Sequence, residues 1–408
     1  GRTQPVFSIE RAAKSGKVQI LEWLHDYFKK PEKGITPLVL MTALERAFVS
    51  SMSKGHLQTS QWIFRNAQHI SKTQALIEAA QNFHWSVVEW LLSADPTLRR
   101  HNPCPNIIVN VASEGRLQLL EWLHSNTEYH GGNAAMDNAA GQGFLDVVEW
   151  MHYNRPEGCT DLAMRRAAEN GHLRVVEFLH SNRSEGSLSE TVKRACHHGH
   201  IDIIRYLFKQ NQVIPTLAAM DIAASRGHLQ VCEFLHSANP NGGCTSNAMN
   251  KAASQGYLLV VEFLHNNGYA GCTTDAMDWA AANGHLQVIE WLHLNRSEGC
   301  TEQAMDDAGK DNQVHVIKWL HHNRSEGCTT DLMDNAARLG NLELVEWLHA
   351  NRTEGCSQNA IDMAAMNGHL AMVKWFCKHR PDVRFSSAAE WAKRTNQLAI
   401  YRYLTTRK

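Results

Sequence analysis

The sequence has no run of about 18 apolar residues, so it offers no candidate membrane span. Its first residues, GRTQPVFSIERAAKSGK, lack the long apolar core of a signal peptide. Gly1 stands where a start Met would, which reads as a trimmed chain; a removed targeting segment or removed upstream repeats stays open. Net charge is lacking too. The 40 Lys and Arg against 41 Asp and Glu leave −1, and the pI is about 7.2. Nucleic-acid binders usually show a basic excess, so a global electrostatic footprint is excluded, although a local basic stripe is not. There is no Gly-rich phosphate loop and no nucleophile elbow, which argues against an enzyme. The hydrophobic content of 43% is ordinary, so the chain should fold unaided.

What is there is repetition. Cys272–Gly299 reads CTTDAMDWAAANGHLQVIEWLHLNRSEG, and the next 28 residues begin CTEQAMDDAGKDNQVHVIKWLHHNRSEG. A period of this size signals a solenoid, which grows by stacking units. The Gly of Gly-His-Leu marks the copies: Gly16, Gly55, Gly115, Gly143, Gly171, Gly199, Gly227, Gly256, Gly284, Gly340 and Gly368. Phe83, Asn312 and Asn396 hold the same place, which makes fourteen units. From Gly115 the interval is 28, except 29 between Gly227 and Gly256. Earlier it is 39 from Gly16 and 32 from Phe83, with Pro-containing insertions at 29–42 and 93–107 that read as loops. The expected division is 1–109, divergent repeats; 110–380, regular repeats; and 381–408, a polar capping repeat ending in Arg407 and Lys408.

Each unit reads helix, turn, helix, turn. Thr160, Thr245, Thr273, Thr301, Thr329 and Ser357 follow the Cys and suit an N-cap. Helix A carries Met277, Ala280 and Ala281 on its apolar face and ends at Gly284 through a positive φ. Helix B carries the stripe Leu286, Val288, Ile289, Trp291 and Leu292. Cys244, Cys272, Cys300, Cys328 and Cys356 recur once per unit. Stacked positions lie roughly 8–10 Å apart, beyond the about 7 Å a disulfide tolerates. Free thiols fit a reducing, intracellular setting, cytoplasmic or nuclear.

The segments AMDWAAANGHLQVIEWLH and RRAAENGHLRVVEFLHSN resemble ankyrin repeats over nearly the whole chain. The unit departs from that family in its 28-residue length against about 33, and in lacking Thr-Pro-Leu-His. Its β-turn finger looks shortened to the Asn-Arg-Ser-Glu-Gly-Cys turn. This style resembles the large repeat sets of oomycetes such as Phytophthora. The resemblance implies an all-α, ankyrin-like helix-turn-helix solenoid that binds proteins.

Most chemistry-bearing residues recur, and recurrence points to architecture. Histidines follow the Gly (His56, His172, His200, His228, His285, His369) or Trp-Leu and Phe-Leu (His25, His124, His180, His236, His265, His293, His321, His349), where each can bond a helix-end carbonyl. The Trp column suits core packing, although an aromatic ladder could stack bases. Asp137, Asp221, Asp278, Asp306, Asp334 and Asp362 form another column, read as architectural. Arg155, Arg183, Arg296, Arg324 and Arg352 line the turns and, with the helix B acids, read as a solvated face. The mixed cluster Cys196–His200 lacks a second Cys or carboxylate for zinc. No metal or cofactor is expected.

One column refuses to repeat. The residue before Ala-Ala runs Asn138, Arg166, Arg194, Ile222, Lys251, Trp279, Asp307, Asn335, Met363. Packing would demand an apolar residue each time, so the column should be exposed, and it holds the candidate partner-binding residues. The function expected is a non-enzymatic, monomeric protein–protein interaction scaffold working through the helix A face. The alternatives are an RNA-binding solenoid, disfavoured by the neutral pI, and a pathogen effector that binds a host protein.

Overall fold

The structure, a computed structural model, describes residues 4–67, 70–100, 104, 106–210, 216–269 and 271–406. Arg407 and Lys408, from which part of the polar ending was read, lie outside the described residues, as do 101–103 and 105 of the second insertion. Among the described residues are 28 α-helices, two 3-10 turns and no strand. They fall into two compact units, Gly1–Arg194 and Ala195–Lys408. Within each unit, the A helix of one repeat packs on the A helix of the next and the B helix closes its own pair. Each unit is a helical-repeat solenoid. No helix among the described residues is long and apolar enough to cross a membrane.

The repeat beginning at Cys272 shows why the sequence folds this way. Helix A spans Asp275–Ala282 and buries Ala276, Met277, Asp278, Ala280 and Ala281. Thr273 Oγ1 accepts the Asp275 backbone N–H at 3.3 Å from one residue outside the N-cap, Thr274, whereas Thr160, Thr245, Thr329 and Ser357 cap their helices directly as expected. Helix B spans Leu286–Asn295 and buries Val288, Ile289 and Leu292. Leu286 and Trp291 of the expected stripe are only half-buried. The Trp291 ring meets the edge of His265 from the preceding repeat, at 5.2 Å and 86°, and leaves its other side to solvent. Helices of eight and ten residues are too short to persist alone, so contact with neighbours holds them.

The turn between the helices is written in the backbone. Every marker Gly has positive φ, and the only positive-φ residues other than Gly among those described are Phe83, Asn312 and Asn396. Gly340 explains the preference. At φ 77°, an added Cβ there would fall 2.5 Å from His369 Nδ1 of the next repeat. That ring instead seats its Nε2 on the Arg338 carbonyl at 3.1 Å. Where no ring follows, glycine is dispensable. Asn312 is followed by Asn341, whose amide donates to Asn312 Oδ1 at 2.7 Å, and Phe83 by Arg116.

The Asp column is a clamp between repeats. Asp278 accepts from the Thr301 backbone N–H at 2.8 Å and from its hydroxyl at 2.8 Å. Asp137 holds Thr160, Asp221 holds Thr245, Asp306 holds Thr329 and Asp334 holds Ser357 in the same manner. Asn250 substitutes, accepting the Thr273 N–H at 3.0 Å and donating to its hydroxyl at 2.7 Å. Asp362 accepts from the Ser387 hydroxyl of the next repeat at 2.8 Å and from the Gln358 amide of its own helix at 2.9 Å.

The insertions are not plain loops, which corrects the expectation. Pro31–Lys33 and Pro96–Arg99 are 3-10 turns, and a 16-residue helix, Pro37–Met52, starts inside the first insertion. Proline at the first helical position costs no hydrogen bond, so Pro37 begins a helix rather than prolonging a loop.

Candidate functional site

The non-repeating column lies on the outer side of the A helices. Where an Asp stands one residue before it, that Asp bonds the next repeat, and the two small residues after it are buried. At about 100° per residue, the intervening side chain must point away. In the unit Gly1–Arg194, Arg166 is exposed, and Asn138 and Arg194 are half-buried. Arg166 Nη1 donates to Asn138 Oδ1 at 2.6 Å. Arg194 lies 3.5 Å from Glu190 and 3.9 Å from Glu169. In the unit Ala195–Lys408, Lys251 and Trp279 are exposed, the indole at 36%, and Ile222, Asp307, Asn335 and Met363 are half-buried. Lys310 pairs with Asp307 at 2.5 Å, and Arg338 Nε donates to Asn335 at 3.3 Å.

The face is wider than the column. Residues four positions before it, such as Asn247, Gln303, Asp331 and Asn359, are exposed, as are Gln255, Asn283, Asp311, Leu339 and Asn367 four positions after. The i±4 rule placed these rows beside the column from the outset, but their sequences drew no notice because they are mostly polar. In the first unit, Asn138, Gln142, Arg166, Glu169 and Asn170 line a shallow groove.

The recurring residues have structural partners. His56 and His228, in the column after the Gly, bond the Lys14 and His197 carbonyls at 3.1 Å each. The second His column does something different from the carbonyl bonding expected of it. His265, His293, His321 and His349 each present an edge to the Trp of the next repeat, with centroids 5.0–5.4 Å apart. His293 Nδ1 also meets Arg324 Nη1 at 3.3 Å. The turn arginines are therefore not a solvated face. Arg324 bonds Glu326 in its own turn and reaches back to the thiol of Cys300. Arg155, Arg296 and Arg352 repeat the pattern with Glu157, Glu298 and Glu354. Burial works against the Glu326 carboxylate, but the Arg324 guanidinium and backbone N–H groups outweigh it and hold its pKa below the usual range.

None of the ten cysteines is in a disulfide, and all are buried. Burial pushes the Cys300 and Cys328 thiols up to about 12 and Cys356 up to about 11, so they are poor nucleophiles. At Cys196–His200 the thiol is pushed up to about 12 by burial, against thiolate ligation, and the His197 and His198 rings sit 4.5 Å apart. Among the described residues, no group of three or more His, Cys, Asp or Glu side chains is placed to hold a metal.

Comparison with known families gives matches in the regular part of the chain. Residues 164–245 and 220–306 match a family model described as ankyrin repeats (3 copies), and residues 333–376 one described as ankyrin repeats (many copies). Among curated proteins, none matches the chain.

Proposed function

We propose that this ankyrin-repeat protein recognises a partner protein through the exposed face of its A helices and performs no chemistry of its own. Ankyrin repeats are in general protein–protein interaction modules, which is the premise. The observation that carries the reading is the column itself: exposed or half-buried at all nine positions, followed each time by a buried alanine, and drawn from seven residue types. A regular scaffold that varies at one outward position varies where it discriminates. Trp279 and the arginines are the side-chain types that anchor interfaces. The face is held by the clamps beneath it, so little ordering entropy opposes binding. The buried, non-activated thiols support an intracellular setting, and the 28-residue unit supports kinship with the oomycete-type repeats it resembles.

The RNA alternative draws on Arg166, Arg194 and Lys251. Arg166 is already engaged with Asn138, and Arg194 sits beside two glutamates, which favours a protein surface. The test is capture from lysate read by quantitative mass spectrometry. Replacing Arg166, Arg194, Trp279 and Met363 together by Ala is expected to remove a specific protein and leave helical content intact. Unchanged capture would place the site elsewhere. Strong, salt-dependent RNA binding would replace the protein reading.

A further inference from the structure

The first helix pair, Gln4–Lys14 and Val18–Lys29, has an outward face built like an interior one. Ile20 holds the position of Val288 in helix B. At that position in later repeats, Thr59, Val87, Val147, Val175, Val231, Val260, Val288, Val316 and Ile400 are 0–1% exposed, and Leu119 is half-buried. Ile20 is 46% exposed. Trp23, in the Trp column, is 63% exposed. Later copies of this Trp meet a side chain of the preceding repeat: His25 at Trp62, Phe64 at Trp90, Arg99 at Trp122, His124 at Trp150, His265 at Trp291 and His321 at Trp347. Among the described residues, the ring that Trp23 meets is Tyr27 of its own helix, stacked at 5.2 Å.

We infer that this face is a repeat–repeat interface, and that its occupant is a further helix–turn–helix repeat joined ahead of Gln4, its B helix ending in Leu-His. The argument is continuity. The position of Ile20 is buried in the later repeats named, the Trp ring there meets a side chain of the preceding repeat, and successive B helices pack on one another within each unit. A head-to-tail second copy does not fit, because the last repeat has Thr405 where the His would stand, its hydroxyl turned back to the Tyr401 carbonyl at 2.8 Å. The last repeat is instead closed by charge over its aromatics, with Lys393 over Tyr401 and Arg394 over Trp391. Among the described residues, no such charge covers Ile20 in the first repeat.

The experiment fuses a copy of residues 272–299 ahead of the full chain and follows amide hydrogen exchange across 18–29. Docking is expected to slow exchange there by roughly tenfold relative to the unfused chain. Ile20→Glu, tolerated in the unfused chain because the site is open, should abolish that gain in the fusion. Three outcomes would overturn the inference: no slowing by the fused repeat, equal slowing with Ile20→Glu, or Trp23-dependent self-association or anionic-vesicle binding by the unfused chain. The last would assign the face to a second copy or a membrane surface.

Discussion

Val288 and Ile20 occupy one place in two copies of the same repeat and live in different surroundings. Val288 is 1% exposed and Ile20 is 46% exposed. The difference runs through the whole of each region. The regular repeats from Cys272 on have a buried acid clamping the next repeat's threonine or serine, an arginine bridging turn and thiol, and a His against the Trp. The first repeats lack the clamp. Where it would stand, Glu10 meets Ser50 at 3.3 Å, and a Ser51–Ser60 hydroxyl pair at 2.8 Å is buried nearby. The lesson is that a repeat's stability is a property of its neighbours, and that polar clamps specify register where small, similar helices could slip.

The sharpest way to break the comparison is to remove a clamp. Asp306→Ala leaves the Thr329 N–H and hydroxyl without their acceptor and should cost about 3 kcal/mol in urea unfolding. Asp306→Asn should cost under about 1 kcal/mol, because Asn250 already does the same job. Next come the paired positions: Val288→Ala should cost about 2 kcal/mol and Ile20→Ala under about 0.5 kcal/mol. Equal losses in thermal melts would show that the two faces are packed alike. At the turn, Gly340→Ala should cost about 1–2 kcal/mol through its positive φ and His369, while Asn312→Gly should stabilise by under about 1 kcal/mol.

The smallest effect is a pH dependence. Burial raises the Asp278, Asp306 and Asp334 carboxyls above the ordinary value of 3.8, although Thr301, Thr329 and Ser357 donate to them. A pKa raised on folding means that protonation favours the fold. That contribution is full below the unfolded value and is lost as pH rises through the folded one. Replacing all three by Asn removes the titration. The variant should therefore fare better against its parent at neutral pH than near about pH 4, read from urea midpoints at the two pH values.

Local chemistry was legible in the sequence, and tertiary adjacency was not. Phe83, Asn312 and Asn396 could be placed with the glycines because one position dictates one backbone conformation, and all three have positive φ. The caps at Thr160, Thr245, Thr329 and Ser357 were equally readable, because cap and helix are adjacent, while at Thr273 and Thr301 the helix begins one residue later. The Arg324 arrangement was misread as a solvated turn because its partner His293 is 31 residues away, and nothing in the local pattern announces the approach. The helix starting at Pro37 was hidden by counting insertions from Gly to Gly, which measures length and not conformation. The candidate face was legible only by comparing copies. The rows flanking it needed the helix geometry.

The central claim is that recognition lives on the A face. The direct measurement is calorimetric titration of the captured, purified partner against two variants. Trp279→Ala/Met363→Ala changes the A helices, and Glu290→Ala/Glu346→Ala changes the B helices at comparable distance along the chain. The account predicts at least about a tenfold weaker Kd for the first and an unchanged Kd for the second. Weakening by the B-helix variant with the A-helix variant unaffected would contradict it.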